Sequence, residues 1–151
     1  MKQGNADARV DAVPVLQFTQ LIGATAHGAR LARQLVVRHL AEWGWPPDSP
    51  GSEAAALVVA ELAANAVTHG RVRGRAFRLA VAVEPVDTLR IEVADARGER
   101  RPCSRIASDL TAESGRGLSV VGALAVQWGS APWPPSGKAV WAMIDLSCPG
   151  G

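Results

Sequence analysis

The sequence has 151 residues, of which 48% are hydrophobic and 20% charged, and its formal net charge is +2. That length suits one domain around one core, and the composition is that of an ordinary globular protein, which argues against disorder and against a membrane class. The longest apolar stretches, Ala54 to Ala60 and Ala80 to Val83, fall far short of the roughly 20 residues a spanning helix requires, and no secretory pattern follows Lys2, so a cytoplasmic address is expected.

Residues 1–12 mix small and charged types without periodicity and read as a flexible tail, with the domain over residues 13–147 and a short C-terminal tail over 148–151. A first strand is expected around Val13 to Thr19. From Ala26 to Trp43 the apolar residues Leu31, Ala32, Leu35, Val36 and Leu40 recur at helical spacing, with Arg30, Arg33 and Arg38 on the other side. Pro46, Pro47, Pro50 and Gly51 then mark a connection over residues 44–52, with Ser52 as the cap of a second helix from Glu53 to His69 and Gly70 as its stop.

Phe77 to Val83 and Leu89 to Asp95 alternate at period two around a turn at Pro85 to Thr88, which predicts an antiparallel pair of strands. The polar stretch from 97 to 114 has no period, and a loop of that length in a small domain is usually functional, here as a lid. Leu118 to Ala125 reads as a short helix, Val126 to Trp128 as a brief strand, the prolines after it as a turn, and Ala139 to Leu146 as a closing strand. Helices interspersed with mostly antiparallel strands give an α+β class, a two-layer sandwich with the helices on one face of the sheet. Cys103 and Cys148 have neither disulfide-framework nor metal-ligand spacing, and the arginines form no continuous phosphate-tracking stripe, which argues against nucleic acid.

Three places are candidates for chemistry. Glu61, Asn65 and His69 are spaced by four on the second predicted helix and so share a slowly drifting face; a carboxylate there can serve as a general base, and an asparagine oxygen is a hard ligand suited to magnesium, with an ordinary solvated helix face as the competing explanation. For His69, a packing or capping role at a helix C-terminus competes with a binding role. Asp95 ends its strand on the apolar face of Leu89, Ile91 and Val93, where a carboxylate needs a donor such as an exocyclic amine to offset desolvation; a strand-end turn is the competing explanation. Gly115, Arg116, Gly117 and Leu118 open a predicted helix, and bare amides at a helix N-terminus favour an anion, with a plain turn as the competing explanation.

Taken in order, Glu61-Leu62-Ala63-Ala64-Asn65-Ala66-Val67-Thr68-His69-Gly70, Val93-Ala94-Asp95 and Gly115-Arg116-Gly117-Leu118 resemble the boxes of the GHKL ATPase superfamily. With the closing Ser136-Gly137-Lys138-Ala139-Val140-Trp141, the chain looks like the single-domain ATP-binding proteins of the anti-sigma-factor serine kinase type found in bacteria. The resemblance covers roughly residues 13–146 and implies a Bergerat-type ATP-binding fold. It implies ATP and Mg2+ as cofactors, Glu61 as catalytic base, and Asn65 as the magnesium ligand. Asp95 would hold the adenine amine, with His69, Gly98, Gly115, Arg116, Gly117 and Leu118 completing the nucleotide site.

Two positions depart from the pattern. Ala96 and Arg97 precede Gly98 in the first glycine box, and Ala139 stands where the family often has a base-binding threonine, which implies weaker adenine binding. The family role is to sequester a sigma factor and to phosphorylate an anti-anti-sigma partner of the STAS type, with a homodimer as the family precedent. The alternative is a non-catalytic regulator in which ATP selects a partner-binding conformation.

Overall fold

The computed structural model describes residues 16–69, 76–95, 119–133 and 137–147. Five strands form one sheet: β1 (Gln17–Gly23), β2 (Ala76–Glu84), β3 (Thr88–Asp95), β4 (Gln127–Trp133) and β5 (Gly137–Asp145). Their order is β1-β2-β3-β5-β4, and every neighbouring pair is antiparallel. Two long helices, α1 (Ala26–Glu42) and α2 (Pro50–His69), pack against each other and against this sheet, and residues 119–124 add a short third helix. The fold is α+β, as the pattern of periods predicts. No helix among the described residues is long and apolar enough to cross a membrane. The expected tails at 1–12 and 148–151 and the expected lid at 97–114 lie outside the described residues.

α1 begins where Thr25, in an extended conformation, accepts the Gly28 N–H on its side-chain oxygen at 2.9 Å, satisfying one of the donors that a helix start leaves open. Its buried stripe is Gly28, Ala32, Val36 and Leu40, one residue per turn. α2 is alanine-rich and apolar on most of its circumference because it is covered from two sides, by α1 and by the sheet. Ala55, Val58, Val59, Leu62, Ala63 and Ala66 are buried along it, against Phe77, Leu79, Leu89, Ile91 and Ile144 in the same core. Each large side chain fully withdrawn from water there contributes about 1.5–3 kcal/mol of transfer free energy.

Several boundaries differ from the sequence-based expectation. α2 starts at Pro50, not Glu53, since proline is pre-organised for the first helical position and has no N–H to leave unpaired there. Ser52 is therefore not the cap: it is fully buried inside the first turn with its hydroxyl unpartnered, and Ser49 takes the capping place, its carbonyl accepting from Glu53 N–H at 3.0 Å. The first strand continues beyond Thr19 to Gly23, and β4 runs on from Trp128 to Trp133 through Gly129 and Pro132. Proline is compatible with β4 because this strand lies at the sheet edge. β5 begins at Gly137, two residues before the expected start, and ends one residue earlier, at Asp145.

Gly28 shows how closely α1 sits on β1. A Cβ at this position would collide with the Gly23 carbonyl oxygen and press on Ile22. Gly28→Ala gains about 1 kcal/mol of helix propensity but must push backbone away from backbone, at about 1–3 kcal/mol or more. The clash is expected to win, giving a lower urea midpoint than wild type; an unchanged or higher midpoint would show that β1 and α1 separate freely.

Candidate functional site

The site depends on which end of the sheet α2 reaches. At the N-terminal end of α2, Gly51 lies so close to Leu146 that a Cβ would sit 2.9 Å from the leucine side chain and 3.1 Å from its Cα. Leu146 follows β5, whose last residue Asp145 pairs with Thr88 at the start of β3. From there α2 climbs about 1.5 Å per residue, so Asn65 stands roughly 21 Å further along. Over the same course β3 advances about 3.3 Å per residue and reaches Asp95 after roughly 23 Å. α2 packs over β3 and β5, so the two rises bring Asn65 and Asp95 to one end of the domain, with Glu61 one turn behind.

Glu61 and Asn65 are both half-buried, as is Asp95. Their neighbours Leu62, Ala63 and Ala66 fill the core, so the polar pair lies beside the buried stripe of the helix. Asp95 is opposite Phe77 on one side and Lys138 on the other. Strand alternation puts it on the helix-covered face with the buried Leu89, Ile91 and Val93, as the sequence pattern predicts. His69 closes α2, and its side chain lies outside the described residues, as do Gly98, Gly115, Arg116, Gly117 and Leu118. The helix expected after that glycine pair is present at residues 119–124, with Val121 fully buried in the core.

The register corrects one expectation. Ala139, expected beside the position of Asp95, pairs with Ala94 and faces away from the side that carries Asp95. Lys138 and Val140 are on that side, and Lys138, to which sequence reasoning gave no role, is the direct cross-strand neighbour of Asp95. The signal was present in the Ser136-Gly137-Lys138-Ala139 string but needed the pairing of β3 with β5 to be read.

Among the described residues no group of three His, Cys, Asp or Glu side chains could hold a metal ion. Asn65 is half-buried, and its carboxamide oxygen would suit Mg2+, which keeps several waters and so needs few ligands from the protein. At the opposite end of the sheet, the Asp145 carboxylate accepts from the Ser147 hydroxyl at 2.6 Å and from its N–H at 2.9 Å. These bonds favour its ionised form and hold its pKa below the ordinary value.

A helix bearing a carboxylate and a carboxamide in line, laid toward the aspartate that ends a central antiparallel strand, is the architecture of a GHKL-type nucleotide domain. Residues 22–142 match the histidine kinase-like ATPase domain, and the chain belongs to that family. Among solved structures it is similar to the RsbU and RsbW domains of Rv1364c from Mycobacterium tuberculosis, with 20% identity and a TM-score of 0.64. The match covers 86% of this chain and 32% of that one, so this chain spans about a third of the other's length. No curated protein matches the sequence.

Proposed function

We propose that this protein binds ATP and works as an anti-sigma-type regulator in the cytoplasm, sequestering a sigma factor and phosphorylating a serine or threonine of a STAS-type anti-anti-sigma partner. What supports the proposal is that α2 starts beside Leu146 and packs over β3 and β5, so its rise carries Glu61 and Asn65 toward the end of β3 that holds Asp95. Membership of the histidine kinase-like ATPase family supports the nucleotide, and the fold shared with a chain that contains an RsbW domain supports the regulatory role.

In this mechanism Asp95 accepts a hydrogen bond from the adenine amine and so sets which way the nucleotide lies. Asn65 would hold Mg2+ against the phosphates, where the ion supplies neutralisation of their charge. Glu61 takes the proton from the acceptor hydroxyl as its oxygen bonds to the γ-phosphorus, and the bond to the β–γ bridging oxygen breaks to leave ADP. The amides of Gly115, Gly117 and Leu118 are assigned to the phosphates, and residues 97–114 to the lid.

The test is incubation with γ-labelled ATP, magnesium and a STAS-type anti-anti-sigma protein from the same genome, followed by mass spectrometry of the partner. Label on one serine or threonine is the expected result. A partner that forms a nucleotide-dependent complex yet stays unlabelled would overturn the kinase and leave the non-catalytic regulator.

A further inference from the structure

One row of residues crosses the helix-covered side of the sheet at the end where β3 stops. The register sets Ile22 beside Phe77, Phe77 beside Asp95, Asp95 beside Lys138 and Lys138 beside Pro132. Burial falls along it: Ile22 and Phe77 belong to the core, Asp95 is half-buried, and Lys138 and Pro132 are exposed. The row thus opens at the step from Asp95 to Lys138, where a carboxylate and an ammonium stand on neighbouring strands. One step back on the same side Val93 pairs with Val140, and both pack in the core, so the polar pair adjoins apolar surface.

Cross-strand neighbours on one face have Cβ atoms about 4.5–5.5 Å apart. A lysine stem can carry its ammonium alongside the carboxylate, so the two groups can address adjacent atoms of one ligand. Adenine offers such a pair: the exocyclic amine donates, and ring nitrogen N1, bonded to the same carbon, accepts. In guanine and hypoxanthine the order is reversed, because the exocyclic oxygen accepts and N1–H donates.

The residue type fits this task. Lysine and arginine together number 16, yet only Lys2 and Lys138 are lysines. An arginine at 138 would fork onto both oxygens of Asp95 and keep them from a ligand. A lysine is a point donor on a flexible stem and leaves the carboxylate able to accept elsewhere.

We propose that Lys138 is a second base-reading residue, donating from its ammonium to N1 of adenine while Asp95 accepts from the amine, and that the pair selects adenine against 6-oxopurines. The proposal rests on the reading of Asp95 as the residue that holds the adenine amine. A 6-oxopurine in the same pose sets its oxygen against the Asp95 carboxylate and its N1–H against the ammonium. Both contacts then turn unfavourable, which is how a site built for one hydrogen-bond pattern rejects another.

The experiment is calorimetric titration, with magnesium, of ATP, 1-deaza-ATP and ITP into wild type, Lys138→Met and Asp95→Ala, each shown to be folded by circular dichroism. 1-Deaza-ATP replaces N1 by C–H and keeps the amine; methionine keeps an unbranched stem and removes the charge. Wild type is expected to bind ATP about tenfold or more tightly than 1-deaza-ATP, the effect of one hydrogen bond to a charged group. Lys138→Met should bind the two alike, and its preference for ATP over ITP should fall as well. An equal loss of ATP and 1-deaza-ATP in Lys138→Met would assign the lysine to the general charge of the site and overturn the proposal. So would a preference for ATP over 1-deaza-ATP that survives the substitution, or none in wild type. The underlying reading is tested separately: wild type that binds no ATP, or Asp95→Ala that binds it as tightly as wild type, removes the base from Asp95 and the proposal with it. Loss of binding in Asp95→Ala together with any of the contrary results for Lys138 would remove the role of Lys138 alone.

Discussion

Glu61→Gln is expected to slow phosphoryl transfer to the protein partner by roughly 10²–10⁴-fold, the usual contribution of a positioned general base, while ATP binds as in wild type. Glutamine keeps the shape of the side chain and its capacity to accept a hydrogen bond, but it cannot take the proton of the attacking hydroxyl. Glu61 is half-buried at the margin of the core, and the buried Leu62 and Ala63 next to it are untouched, so stability should hold within about 0.5 kcal/mol. Single-turnover transfer and calorimetric titration of the same sample separate the two effects. Transfer at the wild-type rate would remove Glu61 from the mechanism; loss of binding together with transfer would move it into nucleotide recognition.

Asp95→Ala should weaken ATP binding by roughly ten- to hundredfold, because a hydrogen bond to a charged group contributes about 1.5–3 kcal/mol. Asp95 lies at the last position of β3, with its cross-strand neighbours Phe77 and Lys138 on either side, so the substitution trims a strand end without opening the centre of the core. Circular dichroism establishes that the variant is folded, and titration with ATP and magnesium then gives the ratio of dissociation constants. An unchanged constant would mean that the base lies elsewhere, and Asn65 would lose the partner that makes it part of a nucleotide site.

Much of this was legible in the residues. Phe77, Leu79 and Val81, and again Leu89, Ile91 and Val93, alternate so regularly that both central strands and their buried face follow from period two alone, and the register of Phe77 with Asp95 agrees. Glu61 and Asn65 lie on one helix, as their spacing by four predicts. What was not legible depends on relations between elements. Pro132 reads as a turn until β4 is known to be an edge strand. Ser52 looks like a cap until Pro50 and Ser49 are seen to start the helix one turn earlier. Whether Lys138 or Ala139 stands beside Asp95 is a matter of strand phase, and period two offers both answers until β5 is paired with β3.

The contact between Gly51 and Leu146 gives α2 a fixed rotational origin. A helix turns by about 100° per residue, so whatever seats its first turn also decides which way every later residue points. Glu61 and Asn65 are ten and fourteen positions on, and their bearing is held by this close seat together with the buried stripe of Val58, Leu62 and Ala66. Glu61 and Asn65 are thus oriented by residues that none of the candidate site's own chemistry requires, from the first turn of the helix onward.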